Sequence, residues 1–109
     1  MKKNSNIRIF ICILLGVKFT WHEPKRLSNI KKHGLDFTDA HRLFSSPMLV
    51  FEDTRENYGE QRMIGVGLLD SKIVLSVHIE TDDEIRIISM REATKDETNQ
   101  YYKYLGYRA

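Results

Sequence analysis

A single cysteine, Cys12, in 109 residues leaves no partner for an internal disulfide and no thiolate cluster for a structural zinc, which fits a reducing compartment. The four histidines do not stand in H-x3-H or H-E-x-x-H spacing, so no metal site is expected. No apolar stretch is long enough to span a bilayer, and there is no repeat, linker or low-complexity segment. A strong excess of positive charge is missing as well. The net charge is +2, and Lys2, Lys3 and Arg8 lie in the first sixteen residues with no acid among them. That leaves 14 basic against 15 acidic side chains in residues 17–109. Any binding of nucleic acid must therefore come from a local cluster rather than from bulk charge.

What is present is ordinary for one soluble globular domain: 41% apolar and 29% charged residues, enough for a single core. Residues 1–16 stand apart as a leader with a basic start and an apolar run. Arg8 interrupts that run and no small-x-small cleavage site follows. Three readings stay open for it: translation that begins at Val17 from a GTG codon, an N-terminal strand or apolar tail, and a secretory signal. Residues 17–109 form the domain proper.

Residues 17–21 alternate as a short strand. Pro24 suits the first turn of a helix that ends at Gly34 as a left-handed cap, with Leu27 and Ile30 as its apolar face. Asp36 or Thr38 caps a second short helix whose stripe is Phe37, Ala40, Leu43 and Phe44. After Pro47 a strand enters a sheet, and the polar residues 52–61 form the longest loop. Residues 62–69 and 72–81 are joined by Asp70-Ser71, which is hairpin length. A second turn at residues 82–84 returns the chain through residues 85–91, completing an antiparallel meander. Thr94 and Glu97 then make a capping box for a last helix. The expected fold is α+β: two layers, an antiparallel sheet with two N-terminal helices and one C-terminal helix. Gly65 and Gly67 share one strand face, where they either admit a helix closely or leave room for a ligand.

Three blocks, WHEPKRLSNIKKHGLDFTDAHRLF, DTRENYGEQRMIGVG and IRIISMREATKDE, occur in an order and spacing that resemble the BrnT toxins of bacterial type II toxin–antitoxin systems. The likeness covers roughly residues 17–104 and departs from the usual pattern at Met90 and His22. It implies a RelE-like fold, a cytoplasmic ribonuclease without a cofactor, and inhibition by a cognate BrnA-type antitoxin encoded nearby, with a higher-order toxin–antitoxin complex as one arrangement. No stable membrane association is expected. The alternative is a non-catalytic nucleic-acid-binding or regulatory module that keeps the fold.

Cleavage of RNA without a metal uses the ribose 2′-OH against the adjacent phosphate and needs a base, cations on the phosphorane and help for the leaving oxygen. Arg91, Arg62 and Arg86 are the candidate cations, since a guanidinium can bind two phosphate oxygens and stays charged. Each has a plainer role available as a structural ion pair; Arg91, at the strand-to-helix junction before Thr94, is the preferred catalytic cation, and Arg86 equally suits a brace within the sheet. In a regular strand Arg86 and Arg91 point to opposite faces, so a bulge or the strand end must re-aim one of them for both to serve one site. His33, at the end of the first helix, is a candidate general acid or phosphate ligand, or simply a helix-end cap. Glu60 is a candidate general base. Lys25 and Lys32, with Arg26 and Lys31, make the densest basic patch, and Trp21 and Tyr58 are candidates for stacking on unpaired bases. Trp21 also suits a core, and His78 a hydrogen-bonded position inside the sheet. Asp53 and the acids of residues 82–84 read as solvated loop carboxylates, with Asp53 and Glu60 as partners for Arg55 or Arg62.

Overall fold

Three apolar runs, residues 48–51, 64–69 and 73–77, bury side chains of both strand parities, and this decides the layering. A computed structural model describes residues 8–10 and 16–106. Most of the leader, with Cys12, lies outside the described residues. The strands are β1 (Arg8–Phe10), β2 (Lys18–Trp21), β3 (Met48–Glu52), β4 (Met63–Leu69), β5 (Lys72–Glu80) and β6 (Glu84–Glu92). The helices are α1 (Glu23–His33), α2 (Ala40–Phe44), entered through a 3-10 turn at Phe37–Asp39, and α3 (Lys95–Tyr104). One sheet runs in the order β1-β3-β4-β5-β6-β2. Its β3-to-β6 part is the antiparallel meander, with Asp70 left-handed (φ 56°) in the two-residue turn.

Met48, Val50, Leu69, Val74, Ile85, Ile87 and Met90 pack with Phe37, Ala40, Leu43 and Phe44 on one face. Leu49, Phe51, Ile64, Val66, Ile73, Leu75 and Val77 form a second cluster on the other, closed by Tyr101 of α3. The Tyr101 hydroxyl donates to the Pro47 carbonyl (2.7 Å), fixing α3 across the end of the sheet where β3 begins. The expected two layers are therefore corrected to helices on both faces. Strands apolar on both sides need cover on both sides. Two further corrections concern order. β2 joins β6 in parallel, so the sheet is mostly rather than wholly antiparallel. The RelE-like order, with two helices leading into the sheet, is not met, because the first helix follows a strand.

On the α2 face the glycines serve close packing rather than ligand space. A Cβ on Gly65 would stand 2.7 Å from Met48 Cε, and one on Gly67 2.8 Å from Met48 Cγ and 2.9 Å from Ser46 Oγ. Helix α1 starts with Pro24 in its first turn and ends on left-handed Gly34 (φ 70°), as its sequence predicts. Its buried side chain, however, is Asn29, while Leu27 is 55% exposed. The reason lies in the β6 edge. The β2 ladder stops at Trp21 opposite Ile87, so on the side away from β5 the backbone of Met90 has no strand beside it. Asn29 takes that place: Nδ2 donates to the carbonyls of Met90 (2.9 Å) and Leu35 (2.9 Å), and Oδ1 accepts from Met90 N (3.2 Å). Among the described residues no helix is long and apolar enough to cross a membrane.

Removing this amide takes a partner from the buried N–H and carbonyl of Met90 and from the half-buried carbonyl of Leu35, and a buried polar group left unsatisfied costs more than an ordinary hydrogen bond contributes. Asn29→Ala should lower the unfolding free energy by about 2–3 kcal/mol in urea titration. An unchanged midpoint would show that the β6 edge does not depend on Asn29.

Candidate functional site

Along β5 the partners of Val74, Leu75, Ser76 and Val77 are Glu92, Arg91, Met90 and Ser89, and then His78 pairs with Ile87. Ile88 is skipped, so β6 carries a bulge. Its effect shows in the core, where Ile85, Ile87 and Met90 all bury on the α2 face although their spacing is two and then three. Ile88 packs with the opposite cluster. Arg86 and Arg91 consequently share the α3 face, which a regular strand would not allow. Their β5 partners, Ile79 and Leu75, are four residues apart, placing them about 13 Å apart along the sheet.

The two arginines differ in occupation. Arg86 is exposed and makes no hydrogen bond or ion pair with a described residue. Arg91 is half-buried and forks onto Glu97, with Nη1 to Oε1 at 2.8 Å and Nη2 to Oε2 at 2.9 Å, and Nη1 also donates to the Glu92 carbonyl (3.2 Å). Glu97 is also the acid of the predicted capping box: it accepts from Thr94 N (2.8 Å), while Thr94 Oγ1 accepts from Glu97 N (3.2 Å). One carboxylate thus ends the helix and holds the arginine. The Arg91 guanidinium, chiefly, and the Thr94 amide pull the Glu97 carboxyl down to about 2 against the opposing cost of burial, and Glu97 in turn raises Arg91.

Beside this pair the loop after β3 folds around Asp53, which is buried and not, as expected, solvated. Asp53 accepts from Arg55 Nε (2.8 Å), Nη2 (2.7 Å) and N (3.2 Å) and from the Tyr58 hydroxyl (3.1 Å). Hydrogen bonds from Arg55 are the main reason its carboxyl lies below the usual range, and burial is the main reason the Tyr58 phenol lies above its own. The Arg62 guanidinium covers the Tyr58 ring, 4.3 Å from its centre, and Nε donates to Glu60 Oε2 (3.1 Å), leaving Glu60 itself exposed. Tyr58 therefore has one ring face already stacked. The charge of Arg55 acts on Arg91 against its raised value, so the two lie near one another. Arg55 was missed as a site residue. Its signal was the D-x-R-x-x-Y spacing of residues 53–58, in which one acid meets two donors.

The remaining candidates lie elsewhere. Trp21 packs edge-on to Phe37 on the α2 face (6.5 Å between centres), and its Nε1 donates to Glu23 (3.0 Å). Lys25, Lys32 and His33 are exposed on α1, and no hydrogen bond or ion pair joins them to the arginines among the described residues. Arg26 is tied to Glu23 and Asp36. His78 is a buried sheet histidine, as expected, with Nε2 on Glu80 (2.8 Å) and its ring edge-on to Phe44.

The family described as "Ribonuclease toxin, BrnT, of type II toxin-antitoxin system" matches residues 21–97, which include both the bulged strand and the Asp53 loop. Among curated proteins nothing matches significantly.

The pairing of Glu97 with Arg91 has a pH signature. A folded value near 2 against an ordinary 4.5 contributes stability that is complete above about 4.5 and disappears as pH falls towards 2. Glu97→Gln should therefore be less stable than the parent at pH 7, with the gap closing between pH 4.5 and 2 in urea midpoints measured across that range. A gap that stayed constant to pH 2 would assign the loss to the helix cap alone.

Proposed function

The chain belongs to the BrnT family of ribonuclease toxins of type II toxin–antitoxin systems, and from that premise we propose that it is a metal-independent endoribonuclease acting through the 2′-OH. The observation that carries the proposal is the bulge at Ile88, which turns Arg86 and Arg91 to one face alongside Arg55 and Arg62. Arg86, exposed and without a partner among the described residues, is the cation for the scissile phosphate. Its planar fork offers five donors to the oxygens that gain charge in the phosphorane. Arg62, stacked on Tyr58, borders the same face, and Glu60 is the exposed carboxylate available as base to the 2′-OH. Arg91 holds the strand end to α3 and adds positive potential from behind. Lys25, Lys32 and Trp21 extend contact to a longer RNA only if the strand passes around the β6 edge. His33 lies apart from this chemistry.

A BrnA-type antitoxin, encoded next to the toxin, neutralises it by laying an acidic or helical segment over the arginine face, so both proteins share the cytoplasm. The second reading is a binding module without catalysis. It is favoured by one observation: Arg91, Arg62 and Arg55 each already hold a carboxylate, as structural arginines do.

The two readings separate in one experiment. Purified protein in EDTA should cleave single-stranded RNA and leave intact the same strand carrying 2′-deoxyribose at the cut site. Arg86→Ala should lower the rate about 100-fold without moving the melting temperature. Induction of the chain alone should arrest growth, with relief by the neighbouring gene. Binding without cleavage would establish the module and retire the enzyme.

A further inference from the structure

Arg55 is held more tightly than an exposed loop arginine needs to be. Its side chain is 61% exposed, yet its Nε and Nη2 are fastened to an Asp53 side chain that is only 1% exposed. Asp53 also accepts from the Arg55 amide and the Tyr58 hydroxyl, and its own amide donates to the Arg62 carbonyl (2.7 Å). Four hydrogen bonds of this loop therefore meet on one buried carboxylate. A guanidinium has five N–H donors. Asp53 takes one from Nε and one from Nη2, the Tyr58 hydroxyl interacts with the guanidinium as well, and donors on its exposed side remain for a ligand. Arg91, by contrast, is only 34% exposed, and its bonds to Glu97 and Glu92 use three of its five donors.

A flexible side chain fixed in one orientation with donors still turned to solvent is preorganised for an anion. We propose that Arg55 forms a second phosphate subsite, taking a phosphodiester next to the one that is cut, with Asp53 as the positioning residue that aims it. The inference rests on the ribonuclease reading and adds to it where the strand runs: across the α3 face, from Arg86 towards the Asp53 loop. The grip is one of direction rather than of net charge, because Asp53 remains ionised beside Arg55. Arg55 contacts a phosphate that does not react, so it contributes equally to ground and transition states.

The test uses a short 2′-O-methyl oligoribonucleotide, which binds but cannot be cut, and the cleavable strand of the same sequence. With the full chain, Arg55→Ala should weaken binding about tenfold and reduce the slope of log affinity against log salt by about 0.7, the loss of one phosphate contact on a single strand. In cleavage it should raise KM while leaving kcat within about twofold, the pattern of a uniform binding contact. Arg55→Lys should restore the salt slope but not the full affinity, since an ammonium keeps the charge and loses the fork. Asp53→Asn should weaken binding with Arg55 still present. Arg42→Ala, which removes an equal charge from α2 where Arg42 is paired with Asp39 and Asp70, should change none of these. If Arg55→Ala binds like Arg42→Ala while the parent binds and cleaves, the subsite is overturned and the ribonuclease reading stands. If the parent neither binds nor cleaves RNA, both fall. A lower melting temperature with unchanged affinity and slope would make Arg55 a loop brace and also overturn the subsite.

Discussion

The bulge in β6 is the constraint on which the arrangement of charge depends. Ile87 and Met90 are both fully buried on the α2 face, and a regular strand cannot bury residues three apart on one side. Burying both is favourable by about 1.5–3 kcal/mol each, whereas the skipped pairing at Ile88 forfeits roughly 1 kcal/mol of ladder hydrogen bonding. Hydrophobic burial therefore wins, and the arginine geometry follows from it. Arg86 lies before the skipped residue and Arg91 after it, so the same insertion that rescues Met90 puts both cations on the α3 face. Past the bulge β6 also runs beyond its β2 neighbour, and Asn29 occupies the open edge there by bonding to the backbone of Met90.

On that face, positive charge is held locally rather than accumulated. Arg91 with Glu97, Arg55 with Asp53 and Arg62 with Glu60 are three guanidiniums, each beside an acid within six residues in sequence. This explains how a domain whose residues 17–109 carry no excess of basic side chains can present several arginines together without strong mutual repulsion. The exposed Arg62–Glu60 pair contributes little to stability. What the pairs supply is orientation, as with Glu97, which accepts from Thr94 N at Oε1 and fixes Arg91 through both oxygens.

Much of the fold was legible from local signals. The Gly34 cap, the Asp70-Ser71 turn and the Thr94–Glu97 box each depend on neighbours within a few residues, and each stands where its sequence predicts it. The layering was less legible. The runs at residues 48–51 and 73–77 are apolar on both parities, a sign of a sheet covered twice, but three helices around a small antiparallel sheet read equally well as two layers. Asn29 could not be read at all, because its partner Met90 is 61 residues away. For the site, the residue types were visible and their convergence was not. Strand parity correctly named a bulge as the condition for joining Arg86 and Arg91, but its position depends on packing across β5 and on both cores at once.

The contrast between Arg86 and its neighbours is the feature that distinguishes a reactive face from a braced one. If all the arginines were structural, each should have an acid, as Arg55, Arg62 and Arg91 do, since an unpaired guanidinium beside them only adds repulsion. Arg86 departs from that rule in the middle of a well-paired strand, where Thr20 and Ile79 flank it and no carboxylate of the described residues is bonded to it. Nothing in the folding of the sheet requires a cation at that position, because an exposed residue between Ile85 and Ile87 can be of almost any polar type. Its neighbours keep their acids, so the surrounding field stays moderate, and among the described residues of this face Arg86 is the guanidinium that no acid holds. Several cations fastened and one left open is the arrangement on which the proposed ribonuclease reading rests.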